Sequence, residues 1–145
     1  MAHTIKVNLS ETPLDIDDTF TGITCYGQAY ENLAQWDICY RNDVKWGIAD
    51  CSAVATMPAI VVATEAINAN AYGIFLIYGF IRNDGWGAWT EGGLLYADES
   101  VRGTAGGMIQ THAAFVAGDQ VQVCGIALQE KIILWNPSYE LVEIA

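Results

Sequence analysis

Apolar positions along this chain either alternate with polar ones or fill short unbroken runs, and no segment of ten or more residues keeps a helical period. Thr4 to Leu9 alternates cleanly, with Ile5, Val7 and Leu9 on one face, as a half-buried or added strand requires. Trp36 to Tyr40, a short polar turn at Arg41-Asn42-Asp43, and Val44 to Ile48 read as a hairpin. Ala53 to Met57 fits a single helical turn that stops before Pro58, because a following proline disfavours the α region. Ala59 to Thr64 and Gly73 to Ile81 are apolar runs of strand length, dense in β-branched and aromatic residues, and are expected at the centre of a sheet. Asn83-Asp84-Gly85 is a turn signal. Leu94 to Ala97 and Met108 to Thr111 flank a loop as a second hairpin. From Val121 to Leu128 the alternation changes phase at Cys124-Gly125, as a β-bulge or barrel corner would cause. Ile132 to Trp135 is a last core strand, closed by Asn136-Pro137, and Leu141 to Ile144 is a short apolar tail.

The elements also echo one another. The strand ending at Tyr40, its partner near Trp46, the run Ala59 to Ala63 and the run Ile74 to Tyr78 are matched by a second series. That series is the strand ending at Tyr96, its partner near Met108, Gly125 to Leu128, and Ile132 to Trp135. The expected fold is all-β: a compact β-sandwich or partly closed β-barrel spanning residues 21–145, preceded by an extended arm over residues 1–20. In that arm Glu11 to Asp18 is acidic, holds a proline and has no clear period. Asp15, Asp17 and Asp18 lack the glycine and distal glutamate of a calcium loop and read as solvated acids.

Composition sharpens this. Of 145 residues 52% are apolar and only 16% charged, so part of the surface must be apolar or neutral, which suits contacts with other proteins. The net charge is −11, and Lys6, Arg41, Lys45, Arg82, Arg102 and Lys131 are scattered singly, which argues against nucleic acid and anionic lipid as partners. The N-terminus carries no signal-peptide pattern, and the longest apolar run is too short to span a bilayer. Cys25, Cys39, Cys51 and Cys124 have no metal-ligand spacing and are expected as buried thiols.

Catalytic chemistry finds little to stand on. His3 falls in the arm and His112 in a loop, and none of the common nucleophile, phosphate-loop, zinc or dinucleotide motifs occurs. The chain is therefore expected to be no enzyme and to need no cofactor or metal. Trp86-Gly87-Ala88-Trp89 follows a turn, and Trp86 and Trp89 are the candidate exposed aromatics for a sugar or protein partner, against the alternative that they cap the core.

The order Glu31-Asn32-Leu33, Asp37-Ile38-Cys39-Tyr40, Gly79-Phe80-Ile81-Arg82-Asn83-Asp84, Trp86, Trp89-Thr90 and Gly92-Gly93-Leu94-Leu95-Tyr96 carries a resemblance. It continues through Ala105 to Thr111, Gly118 to Val123, Gly125 to Leu128, and Ile132 with Asn136-Pro137-Ser138. Over this stretch, about three-quarters of the chain, the sequence resembles structural proteins of tailed-bacteriophage virions, of the capsid decoration (cement) and fibre-associated type. The resemblance implies a β fold, self-association as a homotrimer, and docking on the major capsid protein at the capsid exterior after assembly in the host cytoplasm. It brings no catalytic residues. A tail or fibre component, or a carbohydrate-binding module, are the alternatives. In the capsid reading Ile5, Val7, Leu9, Leu14 and Ile16 are the candidate contact residues, with the arm adding a strand to a neighbour. Residues 2–18 are expected to be separable from the folded body.

Overall fold

The computed structural model describes residues 14–99 and 107–145, so Ile5, Val7 and Leu9 lie outside the described residues. The fold is all-β. Its strands are β1 (Thr19–Gln28), β2 (Ile38–Asn42), β3 (Lys45–Ile48), β4 (Val61–Ala63), β5 (Tyr72–Arg82), β6 (Leu94–Ala97), β7 (Met108–Ile109), β8 (Gln120–Val121), β9 (Val123–Gln129), β10 (Ile132–Trp135) and β11 (Val142–Glu143). The segments expected as hairpins are β2–β3 and β6–β7, and a 3₁₀ turn covers Val54–Thr56 ahead of Pro58. β8 and β11 form a small separate ribbon; the other nine strands make one strongly curled sheet, a half-barrel.

The sheet branches. β1 pairs with β5 along its whole length, from Thr19 opposite Arg82 to Gln28 opposite Tyr72. The opposite edge of β5 therefore has to serve two partners: β4 at Phe75 and Leu76, and β10 from Gly79 to Arg82. One branch runs β5-β4-β2-β3 and the other β5-β10-β9-β6-β7. The echo in the sequence is thus repeated in the pairing: hairpin β2–β3 then β4 in one branch, hairpin β6–β7 then β9 in the other.

A register shift makes the branching possible. Ile23 faces Tyr78 while Thr24 faces Leu76, so Ile77 is an extra residue in β5. Leu76 and Ile81, of opposite parity, consequently both reach the same buried cluster. Just beyond the shift Gly22 lies opposite Gly79, with φ of 149° and 155°. A Cβ on Gly79 would stand 2.0 Å from the Thr21 carbonyl oxygen, and one on Gly22 2.2 Å from that of Tyr78. The second phase change expected at Cys124-Gly125 is also present: Leu95 faces Gly125 and Tyr96 faces Val123, leaving Cys124 as the extra residue.

Two clusters follow. The larger lies between the branches, joining Ile38, Tyr40, Val62 and Leu76 of one to Leu95, Cys124, Ile133 and Trp135 of the other. The smaller fills the curled first branch with Cys39, Val61, Ala63 and Phe75, closed by Ala29, Leu33 and Ile67. Gln122, 1% exposed, ties the branches together: its amide accepts from Ala59 N–H at 2.8 Å and donates to the Ala59 and Ser138 carbonyls at 2.8 and 2.6 Å.

Gly79→Ala is expected to destabilise the fold by about 3 kcal/mol or more through backbone strain and the clash with Thr21. Gly87→Ala, where a Cβ meets nothing within 4 Å, should change stability by under about 0.5 kcal/mol. Urea denaturation of both variants checks this.

Candidate interaction surface

Because side chains alternate along each strand, the face of the second branch turned away from the large cluster can be read from the register. Thr21, Phe80, Leu134, Ile126 and Leu94 lie opposite one another across β1, β5, β10, β9 and β6. Ile23 faces Tyr78 and Tyr96 faces Val123 on the same side. Leu94 and Ile23 are exposed, whereas Tyr78, Phe80, Val123, Ile126 and Leu134 are half-buried and belong to neither cluster. The row crosses five strands, about 19 Å at the usual strand spacing. None of these residues carries a charge, in a chain with seventeen carboxylates. Charged groups gather at one end, where Arg82, Glu91, Glu130 and Lys131 line a shallow concavity with Gln129 and Ile132. An apolar centre with a charged rim is the usual anatomy of a protein contact surface.

At its other end the face runs into a cleft of about 410 Å³ lined by Tyr96, His112, Phe115, Val121, Val142 and Ile144. The Tyr96 hydroxyl and the His112 ring Nε2 are in hydrogen-bonding contact at its wall. Among the described residues no group of three or more histidine, cysteine or acidic side chains could hold a metal ion.

The candidate residues separate. Leu14 is 3% exposed and Arg82 Nη1 donates to its carbonyl at 3.1 Å, so it belongs to the body and is not offered to a partner. Ile16, 66% exposed, remains available. Asp17 accepts the Asp84 N–H at 2.7 Å and Asp18 the Trp36 indole N–H at 3.0 Å, so Asp17 and Asp18 are fastened to the body instead of solvated in an arm. Trp86 corrects the expectation of an exposed aromatic. The Asn83-Asp84-Gly85 turn, in which Asn83 Oδ1 accepts from Gly85 N–H, folds the chain back and puts the indole in the large cluster, 1% exposed. Trp89 is half-buried against that cluster, its ring 5.9 Å from that of Trp86. Neither indole N–H has an acceptor among the described residues.

The exposed aromatics are elsewhere. Tyr26 and Tyr72, 70% and 58% exposed, stack at 5.5 Å across β1 and β5. Sequence reasoning missed both this pair and the apolar face. The available signal was that Ile74 to Ile81 is apolar at both parities, which demands cover on two sides.

The described basic side chains are all engaged: Arg41 over the Trp46 ring at 4.6 Å, Lys45 on Asn70, Arg82 on Asp84 and Leu14, and Lys131 on the Trp86 carbonyl. The cysteines form no disulfide; Cys39, Cys51 and Cys124 are buried, and burial pushes the thiols of Cys39 and Cys124 well above the usual range. Comparison with protein-family models, curated proteins and solved structures gave no match.

The Arg82–Asp84 pair fastens the entry to β1. Hydrogen bonding from Arg82 holds the Asp84 carboxyl below its ordinary range. A depressed carboxylate pKa stabilises the fold above the unfolded value of about 3.9, and that contribution fades as pH falls through the lower folded value. Arg82→Gln is therefore expected to raise the Asp84 midpoint, read from its carboxyl carbon chemical shift. The stability gap between wild type and Arg82→Gln should narrow as acid protonates Asp84.

Proposed function

We propose that this chain is a capsid decoration protein of a tailed bacteriophage, binding the outer surface of the major capsid lattice and stabilising the head. The observation that supports this reading is the uncharged apolar row Leu94-Ile126-Leu134-Phe80, on the face of the second branch that neither core cluster of the described residues covers. In the first branch the equivalent side of the sheet is covered by Ala29, Leu33 and Ile67. In the second branch these residues belong to neither cluster, and a protein partner would complete the burial. Affinity would come from apolar area at the centre of that face, and specificity from Arg82, Glu91, Glu130 and Lys131 at its rim. Residues 1–13, with Ile5, Val7 and Leu9 alternating, would add main-chain pairing to a neighbour. A subunit that binds only the assembled lattice stabilises it by mass action. The sugar-binding alternative loses one of its two aromatics, since Trp86 is buried.

Mixing purified protein with heads that lack it tests the reading. Wild type should load at regular lattice positions in high copy. Phe80→Asp should fold normally and lower occupancy at least about tenfold, the loss expected of one central contact. Loading of Phe80→Asp at wild-type occupancy, or binding confined to tails, would overturn the assignment.

A further inference from the structure

The cleft of about 410 Å³ has walls that the fold holds in place. Tyr96 stands on β6 between Ile109 of β7 and Val123 of β9, and is 7% exposed. His112 opens the 3₁₀ turn His112–Ala114, which Phe115 N–H closes by donating to the His112 carbonyl at 3.1 Å. Val142 and Ile144 supply a further wall. There the pairing of β11 with β8 is extended by Gly118 N–H on the Ile144 carbonyl at 2.8 Å and Ile144 N–H on the Asp119 carbonyl at 2.9 Å. Gln120 Nε2 adds a hydrogen bond to Glu143 Oε2 at 2.9 Å.

Three of the lining side chains are rings. Tyr96 meets His112 and Phe115 edge-on, with centroids 4.7 and 6.0 Å apart and interplanar angles of 71° and 82°. Val121, Val142 and Ile144 add methyl groups. Walls of this kind favour a planar aromatic guest, which can meet the rings edge-to-face and the methyls with its face. Polar contact is concentrated at one place, where the Tyr96 hydroxyl is hydrogen-bonded to His112 Nε2. A hydroxyl in such a bond keeps capacity for another, since its oxygen both donates and accepts. The same two residues also line a second concavity of about 420 Å³, whose remaining lining includes Thr90, Gln110 and Thr111. Among the described residues, no aspartate, glutamate, lysine or arginine lines either space, in a chain with seventeen carboxylates. A charged guest would lose hydration there with no counter-charge to replace it.

We propose that this cleft binds a small neutral aromatic molecule of the phenol or indole class. Its ring lies among Phe115, Val121, Val142 and Ile144, and its hydroxyl or N–H meets the Tyr96–His112 pair. A preformed apolar pocket with a few convergent polar groups is the usual anatomy of a small-ligand site. The space is sufficient, since a closed cavity of roughly 150 Å³ already takes benzene. With so few atoms and one side open to water, such a ligand is expected to bind with a Kd on the order of 1 mM. The site requires no capsid, and it stands or falls independently of the decoration reading.

Titrating the full chain with p-cresol, indole and toluene, followed by methyl and histidine-ring NMR shifts, tests it. Wild type should show saturable shifts at Val121, Val142, Ile144 and His112 with p-cresol and indole. Tyr96→Phe keeps the ring and removes the hydroxyl. It should lower p-cresol affinity about fivefold, the net worth of one hydrogen bond, and leave toluene affinity unchanged, a contrast that a merely structural hydroxyl would not produce. Val142→Asp, at a position 57% exposed, places a carboxylate in the wall and should weaken all three ligands at least about fivefold even if Tyr96→Phe disturbs the fold. Absence of saturable shifts up to about 5 mM p-cresol and indole would overturn the proposal. Shifts centred outside the cleft, or unchanged affinity in Val142→Asp, would also overturn it.

Discussion

Everything in this molecule hangs from one edge of one strand. β5 is paired with β1 over its full length, so both branches of the sheet must leave from the edge that remains. Two sheets cannot depart from a flat, regular ribbon in different directions. The extra residue Ile77 and the facing Gly22 and Gly79 supply the necessary twist and close approach, since neither glycine position has room for a Cβ. That departure sets the two branches facing each other across the large cluster. The Gln122 amide then holds them at a fixed separation by satisfying both the N–H and the carbonyl of Ala59.

The same constraint decides which surfaces are left open. The first branch curls far enough for Trp46 to reach back to Tyr30 and enclose its own small core. The second branch spends one face on the shared cluster and leaves the other, uncharged and apolar, with no element of the described chain belonging to a core over it. Among the described residues, the apolar face outside both clusters thus has one topological cause: a sheet that forks instead of closing.

Local signals made most strands legible. The hairpins, the turn at Asn83-Asp84-Gly85, the central run that became β5 and the phase change at Cys124 are each set by residues close in sequence, through turn chemistry and period-two alternation. The paired series also carried the order of strands within each branch. The branching itself was not legible, because it depends on which residues of β5 meet partners far along the chain. Trp86 shows the same limit at the level of one side chain. A tryptophan after a turn is equally compatible with exposure and with a chain that doubles back, and only the cluster between the branches decides it. Leu14 falls by sequence pattern in the extended arm because its anchor, Arg82, lies at the far end of β5.

The fork also orders events in time. β5 is complete about halfway along the chain, yet the partner for its Gly79–Arg82 half is β10, some fifty residues later. When β5 has been made the large cluster has ten of its seventeen buried members, and Ile133 and Trp135 are the last two to be added. Contacts so distant in sequence raise the loop-closure cost before any burial repays it, which slows folding. A nascent chain can close the small core of the first branch on its own residues, but the face that would receive a partner does not exist until the last long strand is in place. The apolar face of the second branch is therefore completed only when β10, the last of its strands, is in place.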